Sequence, residues 1–253
     1  MELTRRDTIR LGMAGLAATT FMPFTARAQG AGDRYAVEGG EIVINPIGHA
    51  TFVMQVPGMV IYNDPATDPA TFQGMPPADV VLITHEHGDH FKPETLAAVV
   101  GANTRLVVNP AVFGKLSDDM KAKATQIANG AGTEVGGVRI DAIPAYNTTE
   151  DRKKYHPQGR DNGYVLGVGG RRIYIAGDTE DIPEMRSLTD IHIAFVPMNL
   201  PFTMDVTQAS SAVAAFKPAF VYPYHYGESD VQKFAADVKA AAAETQVVLG
   251  KWY

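Results

Sequence analysis

Short apolar runs separated by turn residues recur along the chain after residue 40. Most are rich in β-branched and aromatic side chains, which is typical of strands. They predict strands at 41–44, 51–56, 59–62, 80–83, 105–108, 138–143, 163–168, 171–176, 190–195, 221–224 and 247–249. Helical starts and an alanine-rich stretch predict helices at 93–100, 110–116, 207–216 and 234–243. Strands followed by a helix, in a rhythm that occurs twice, indicate an α/β fold with four layers, an αββα sandwich.

Three stretches lack a regular hydrophobic period and predict loops. Residues 29–40 are interpreted as a flexible leader, and residues 65–78 are rich in proline. Residues 148–162 are polar throughout and have no apolar face. The chain shows no internal repeat and no second domain, so residues 29–253 are predicted to form a single domain of ordinary size.

The N-terminus has the order of an export signal. Arg5 and Arg6 form a twin-arginine pair, a mildly apolar run follows at 11–24, and a small-residue cleavage pattern lies at 26–28. Residues 1–28 are therefore predicted to be a twin-arginine signal that sends the protein to the periplasm. The apolar run is shorter than the roughly 20 residues that span a bilayer. We expect contact with the membrane only during export, with an uncleaved anchor as the alternative.

Composition limits the possible functions and the possible metal ligands. The net charge of −6 argues against general nucleic-acid binding, which depends on lysine and arginine at the phosphates. The chain has no cysteine, so any metal must be held by nitrogen and oxygen.

Residues 84–90 concentrate three imidazoles and two carboxylates directly after the apolar run at 80–83. Buried charge is costly without a partner, and a metal ion is the simplest partner. Alternate side chains of an extended chain share a face, so His85 and His87 can converge on one ion. Gly88 permits a sharp turn that could aim Asp89 and His90 at a second ion. The alternative is a solvated, histidine-rich loop.

The spacing Thr-His-x-His-x-Asp-His in residues 84–90 resembles the signature of the metallo-β-lactamase-fold hydrolases. Within that superfamily the chain is most similar to the small lactonase-like branch, with N-acylphosphatidylethanolamine phospholipase D a more distant relative. The resemblance runs from about residue 41 to the end of the chain. It implies the αββα sandwich, with two metal ions at one edge between the sheets.

The resemblance also implies a ligand set. The first ion takes His85, His87 and His156, and the second takes Asp89, His90 and His225. Asp178 would bridge the two ions; it follows an apolar strand and a glycine, which suits that role, although a turn aspartate is the alternative. His225 stands at the end of a predicted strand, whereas His192 lies within one and is predicted to be structural.

Other residues are candidates for supporting roles. In the similar proteins an aspartate at the position of Asp64 orients a metal-binding histidine. His49, at a turn, is either structural or lines the pocket, and Asn199 and Tyr226 are candidates for contacts to ligands or substrate. Four cations around His156 are interpreted either as a solvated face or as a rim for an anionic substrate: Arg152, Lys153, Lys154 and Arg160.

The expected activity is hydrolysis of a small-molecule lactone, ester or phosphoester. Two divalent ions can hold a bridging hydroxide and polarise the bond that it attacks, and Asp89 could orient that hydroxide and carry a proton. Histidine and carboxylate ligands suit Zn, Mn, Fe or Ni, and zinc is our default. The alternatives are a di-iron redox protein of the same fold and a metal-binding protein without turnover.

Overall fold

Two seven-stranded β-sheets form the centre of the protein, as seen in a computed structural model that describes residues 32–253. The strands of the first sheet lie in chain order: β1 Asp33–Val37, β2 Gly40–Gly48, β3 Thr51–Val56, β4 Met59–Asn63, β5 Val80–Ile83, β6 Arg105–Val108 and β7 Ala124–Gln126. The second sheet contains β8 Gly132–Val135, β9 Val138–Ala145, β10 Asp161–Val168, β11 Arg171–Ile175, β12 Ile191–Pro197, β13 Phe220–Tyr224 and β14 Gln246–Val247.

Each sheet contains four antiparallel strands followed in chain order by parallel ones. Strands β1 to β4 pair antiparallel and β4 to β7 pair parallel. In the second sheet β8 to β11 are antiparallel and β11 to β14 are parallel. The carboxyl ends of parallel neighbours meet at one edge, so each sheet brings the residues that follow its strands to a common place.

Helices cover the outer faces of the two sheets. They are α1 Pro93–Val99, α2 Pro110–Lys115, α3 Asp118–Lys121, α4 Pro183–Arg186, α5 Val206–Phe216 and α6 Val231–Ala241, with a single 3-10 turn at Pro69–Phe72. None of the helices between residues 32 and 253 has the length and apolar character needed to cross a membrane.

Alternation along the strands builds three apolar clusters. Phe52 and Met54 of β3 face the cluster between the sheets, where Phe52 stacks on Phe195 of the second sheet with 4.1 Å between ring centroids. Val53 faces the other way, towards the helices outside the first sheet, and the remaining cluster packs α5 and α6 on the second sheet. The molecule is therefore layered helix, sheet, sheet, helix, and the predicted αββα sandwich is confirmed.

The N-terminal part of the domain differs from the prediction. Residues 29–40 are not wholly a flexible leader, because β1 occupies Asp33–Val37 and pairs with β2. Tyr35 is buried in the cluster between the sheets, and Arg34 bonds to Glu41 across the pair at 2.7 Å. The polar residues around Tyr35 hid this edge strand from the sequence pattern. The predicted export signal, residues 1–28, lies outside the described residues.

Candidate metal centre

All seven predicted ligands meet at one edge of the sandwich. Residues 84–90 follow β5, Asp178 follows β11, and His225 follows β13. His156 comes from the loop that precedes β10. Six of the seven histidines of the chain gather here. The seventh, His192, lies away from this edge and packs edge-on against Phe220 with 5.3 Å between ring centroids.

His85, His87 and His156 form the first group of donors, with ligand atoms that all lie within 4.8 Å of one another. His85 Nε2 and His87 Nδ1 face each other at 3.1 Å. The opposite ring nitrogen of His85 lies 3.1 Å from the Thr84 hydroxyl, which leaves Nε2 directed into the group. Three imidazole nitrogens on one point suit a transition-metal ion.

The second group contains His49, Asp89, His90 and His225. Asp89 Oδ2 is 3.1 Å from His49 Nε2 and 3.4 Å from His225 Nε2. The rings of His49 and His225 lie with their centroids 3.8 Å apart. His49 Nδ1 is 2.9 Å from the Tyr253 hydroxyl. His49 thus contacts a predicted ligand directly and lines the pocket.

Asp178 lies between the two groups. Its Oδ2 atom is 3.4 Å from His156 Nε2 in the first group and 3.2 Å from His225 Nε2 in the second. Its Oδ1 atom is 3.3 Å from His90 Nε2. One carboxylate in contact with both sets of imidazoles has the placement that a bridging ligand requires.

Buried atoms in this centre lack hydrogen-bond partners among the described residues. His90 Nε2, Asp178 Oδ1 and both ring nitrogens of His225 are buried without a hydrogen bond, even though some of them lie within 3.4 Å of one another. Unpaired buried polar atoms cost free energy. Their convergence on a common centre fits divalent metal ions, which would bind these lone pairs.

Asp64 fixes the geometry behind the ligands. This fully buried carboxylate accepts hydrogen bonds from the Thr84 N–H and hydroxyl, both at 2.7 Å, and from His90 Nδ1 at 2.9 Å. A histidine whose Nδ1–H is held in this way presents its Nε2 lone pair to a metal. Asp64 therefore orients His90 and the start of the 84–90 segment.

Asp161 does the same for His156. Its Oδ2 atom accepts from His156 Nδ1 at 2.9 Å, and Arg160 bonds to both carboxylate oxygens at 2.7 and 2.9 Å. Arg160 Nη2 also lies 3.4 Å from His87 Nε2. Sequence reasoning missed Asp161. The available signal was a carboxylate five residues after a candidate ligand.

Glu180 secures the loop that carries His156. Its buried carboxylate accepts hydrogen bonds from the N–H and hydroxyl of Thr148 and of Thr149, at 2.6–2.9 Å, and from Arg152 Nη1 at 2.7 Å. Burial raises the pKa of Glu180, but the bonds from Thr149 and Thr148 outweigh this and hold it below its usual value. Glu180 follows Asp178 by two residues, so it ties the segment that carries Asp178 to the His156 loop. It too was missed from sequence.

The loop cations have structural partners. Arg152 bonds to Glu180, Lys153 bonds to Glu150 at 2.6 Å, and Arg160 bonds to Asp161. Lys154 lies over the Tyr155 ring, 5.0 Å from its centroid. Arg152 and Arg160 hold the loop together through these contacts. The contacts favour neither a solvated face nor a rim for an anionic substrate.

Burial favours the neutral form of two imidazoles in the first group, His85 and His87. It lowers the pKa of His85 well below the ordinary value, with a further contribution from His90. Burial also lowers the pKa of His87, and His156 adds to that effect. A neutral imidazole is the form that binds a metal, so these two side chains are ready to act as ligands.

In the second group, interactions between imidazoles and carboxylates outweigh the effect of burial on the pKa values. Burial lowers the pKa of His225, but Asp178 and Asp89 outweigh it and raise the pKa to about 10. Burial raises the pKa of Asp178, and His225 and His90 outweigh it and hold that pKa well below its usual range. These shifts favour protonated imidazoles beside the ionised Asp178 carboxylate in the metal-free protein. Bound cations would take over this role and release the protons.

The backbone of the site occupies unusual conformations. Five residues other than glycine have positive φ in the described chain, and three of them are His49, Asp64 and His225. Gly177, next to the bridging carboxylate, has φ of +66°. Such conformations persist where surrounding structure enforces them, and they cluster at functional sites.

A cavity of about 700 Å³ opens beside the ligands. Its walls include the predicted ligands His87, Asp89, His156 and Asp178, with the remaining lining from His49, Ala66, Thr67, Lys92, Tyr155, Asn199 and Phe202. Asn199 is one of the lining residues, and its predicted contact to ligands or substrate stays a prediction. Tyr226 is not among the lining residues and packs on the Tyr253 ring, 4.8 Å between centroids.

Comparison with known proteins agrees with this geometry: the chain is a metal-dependent hydrolase with the metallo-β-lactamase fold. Residues 43–225 match the β-lactamase superfamily domain, and the chain belongs to that superfamily. A UPF0173 metal-dependent hydrolase from Pyrococcus abyssi is 30% identical over 192 residues, which are 71% of this chain and 82% of the relative.

Solved structures show the same fold. A protein from Parabacteroides distasonis, provisionally described as a metal-dependent hydrolase, superposes with a TM-score of 0.77 and 39% identity, over 88% of this chain and 99% of its own. CmlA, a diiron β-hydroxylase from Streptomyces venezuelae, superposes with a TM-score of 0.67 and 19% identity, over 85% of this chain and 53% of its own. At that identity CmlA is evidence of fold alone.

Proposed function

We propose that the protein binds two divalent metal ions and hydrolyses a small-molecule lactone, carboxylic ester or phosphoester. The observation that supports this most directly is Asp178, which contacts both groups of imidazoles and completes two sets of nitrogen and oxygen donors. His85, His87 and His156 would hold one ion, and Asp89, His90 and His225 the other. Zinc is the first metal to test, with Mn, Fe and Ni as alternatives.

The ions would supply an activated water nucleophile at neutral pH and polarise the scissile bond. The side chains of the protein would position the ligands and the substrate. Asp64 and Asp161 hold His90 and His156 by their Nδ1 atoms, which keeps the ligands in place without reorganisation. The cavity would place the substrate beside the predicted metal ligands.

Asp89 is the group that we assign to proton transfer. Its side chain is 50% exposed, whereas those of Asp178 and His225 are buried, and it lines the cavity. Burial raises the pKa of Asp89, but His225 and His49 outweigh it and hold the carboxyl in its charged form. An ionised carboxylate at the cavity can accept a proton from the nucleophile and pass it to the leaving group.

A panel of substrates tests the hydrolase proposal. Metal-loaded protein and a double variant, His85→Ala with His87→Ala, should be assayed on lactones, carboxylic esters, β-lactams, phosphomonoesters and phosphodiesters. We expect lactone or phosphoester turnover to lead, slight β-lactam turnover and no turnover by the double variant. Equal rates for the two proteins would contradict the proposal.

The alternative kept from the sequence is a di-iron redox protein of the same fold, since histidine and carboxylate ligands also suit iron. Stoichiometric iron together with oxygen consumption, and no hydrolysis of the panel, would favour that alternative. A metal-binding protein without turnover would bind metal and give neither activity.

We also propose that the protein is exported to the periplasm by the twin-arginine route. The support is the sequence of the first 28 residues, with Arg5 and Arg6. In fractionated cells the protein should be periplasmic and begin near Gln29. Replacing both arginines by lysine should retain it in the cytoplasm, and normal export of that variant would exclude this route.

A further inference from the structure

Lys92 differs from the other cations near the centre because it faces the cavity and is not neutralised by a carboxylate. It lines the cavity with Asp89 and Asn199 and is half-buried. Within residues 32–253 its ammonium group forms no ion pair at 4.0 Å or less and no hydrogen bond. A half-buried ammonium group without a protein partner is available to a ligand.

No structural role explains a lysine at this position. Lys92 precedes the first residue of α1 and makes no capping hydrogen bond with its side chain. Serine, threonine, aspartate and asparagine are preferred there, and a cation is disfavoured at a helix N-terminus. By contrast, Lys115 forms an ion pair with Glu86 of the 84–90 segment at 3.0 Å.

Apolar side chains form another part of the wall. Phe202 is 41% exposed, although aromatic side chains are usually covered. It meets Tyr155 edge-to-face with 5.1 Å between centroids. Asn147 holds this wall in place by donating to the Phe202 carbonyl at 2.7 Å. The cavity thus offers a cation, an aromatic surface and the metal ligands to the same small molecule.

We propose that Lys92 binds a carboxylate or phosphate group of the substrate, while an apolar part of the same molecule packs on Phe202 and Tyr155. This proposal rests on the hydrolase function above and specifies its substrate class: small amphipathic anions. A charge-assisted contact of this kind is stronger than a neutral one and selects for the anion. Specificity for the anion therefore comes from Lys92 rather than from the cations of the loop at 148–162.

Binding of matched probes tests the proposal without turnover. Titration calorimetry on the protein with its metals should compare 4-phenylbutyrate, 3-phenylpropylphosphonate and the neutral 4-phenylbutyramide, which share one phenylpropyl chain. Lys92→Met should weaken binding of at least one anion by about 10-fold and leave the amide unchanged, and Lys92→Arg should restore part of the loss. The metals contribute equally in both proteins, so the difference between anion and amide isolates Lys92.

Lys153→Met is the matched control, since Lys153 is paired with Glu150 on the loop; it should bind all three probes like the unaltered protein. The two anions identify whether carboxylate or phosphate is preferred. Equal losses for anions and amide, or the same anion-selective loss in the control, would overturn the assignment to Lys92. A failure of the hydrolase proposal would appear separately, as binding without turnover of the substrate panel.

Discussion

Asp178→Asn is expected to lower kcat/KM for the best substrate of the panel by about 10³-fold or more. The variant keeps the shape of the side chain but removes the charge that both groups of imidazoles contact. Loss of a bridging ligand weakens the binding of both ions, and the ions are assigned several kcal/mol of transition-state stabilisation. Steady-state kinetics at saturating metal, with metal content measured on the same samples, provides the test.

Asp141→Asn is the control for this substitution. Asp141 is a partly exposed residue of β9 that bonds to Arg139 at 2.7 Å, so its replacement should leave kcat/KM and metal content unchanged. Full activity of Asp178→Asn at normal metal content would show that Asp178 is not a ligand.

Gly177→Ala should lower the free energy of unfolding by about 3 kcal/mol. A Cβ atom at this position would lie 2.7 Å from the carbonyl oxygen of Asn162 and 3.3 Å from Thr84 Cβ. The left-handed conformation costs about 1–2 kcal/mol for a residue with a side chain, and forced overpacking adds about 1–3 kcal/mol. Denaturant unfolding at a fixed metal concentration measures the change.

Gly58→Ala separates the two contributions. Gly58 has φ of +77°, close to that of Gly177, and a Cβ atom there would meet nothing within 4 Å. Its replacement should therefore cost only the conformational part, about 1–2 kcal/mol. Equal losses at the two positions would mean that the close approach of the backbone at Gly177 is relieved at no cost.

Residues 84–90 could be identified as candidate metal ligands because they are close together in sequence. Residues 84–90 follow a uniformly apolar strand, and five titratable groups there leave few alternatives to a metal. His156, Asp178 and His225 were predicted from the resemblance to the metallo-β-lactamase-fold hydrolases, and Asp178 and His225 each come shortly after an apolar strand. The layer order followed from the alternation of strand runs and helices.

The supporting residues could not be predicted in the same way. Asp161 and Glu180 act through hydrogen bonds whose partners depend on the path of the loop at 148–162, and a polar segment without a period does not reveal that path. The contacts of the loop cations were hidden for the same reason. Arg152 and Arg160 are close to His156 in sequence, but their guanidinium groups bind Glu180 and Asp161.

The hydrophobic pattern of the sequence also failed to predict the short edge strands. β7 has three residues and β8 has four, and most of their side chains are partly or fully exposed. Strands of this kind are ordered by pairing with a neighbour rather than by an apolar face of their own. β1 is a similar case, with one fully buried side chain, Tyr35, among five residues.

The claim at the centre of this account is that one chain holds two divalent ions. Elemental analysis of protein loaded with excess metal and freed of unbound ions measures it directly. We expect close to two equivalents per chain, mostly zinc or manganese, and a lower content in the His156→Ala variant, which removes one donor of the first group. A content near zero in the unaltered protein, or a single equivalent that His156→Ala leaves intact, would contradict the two-metal site.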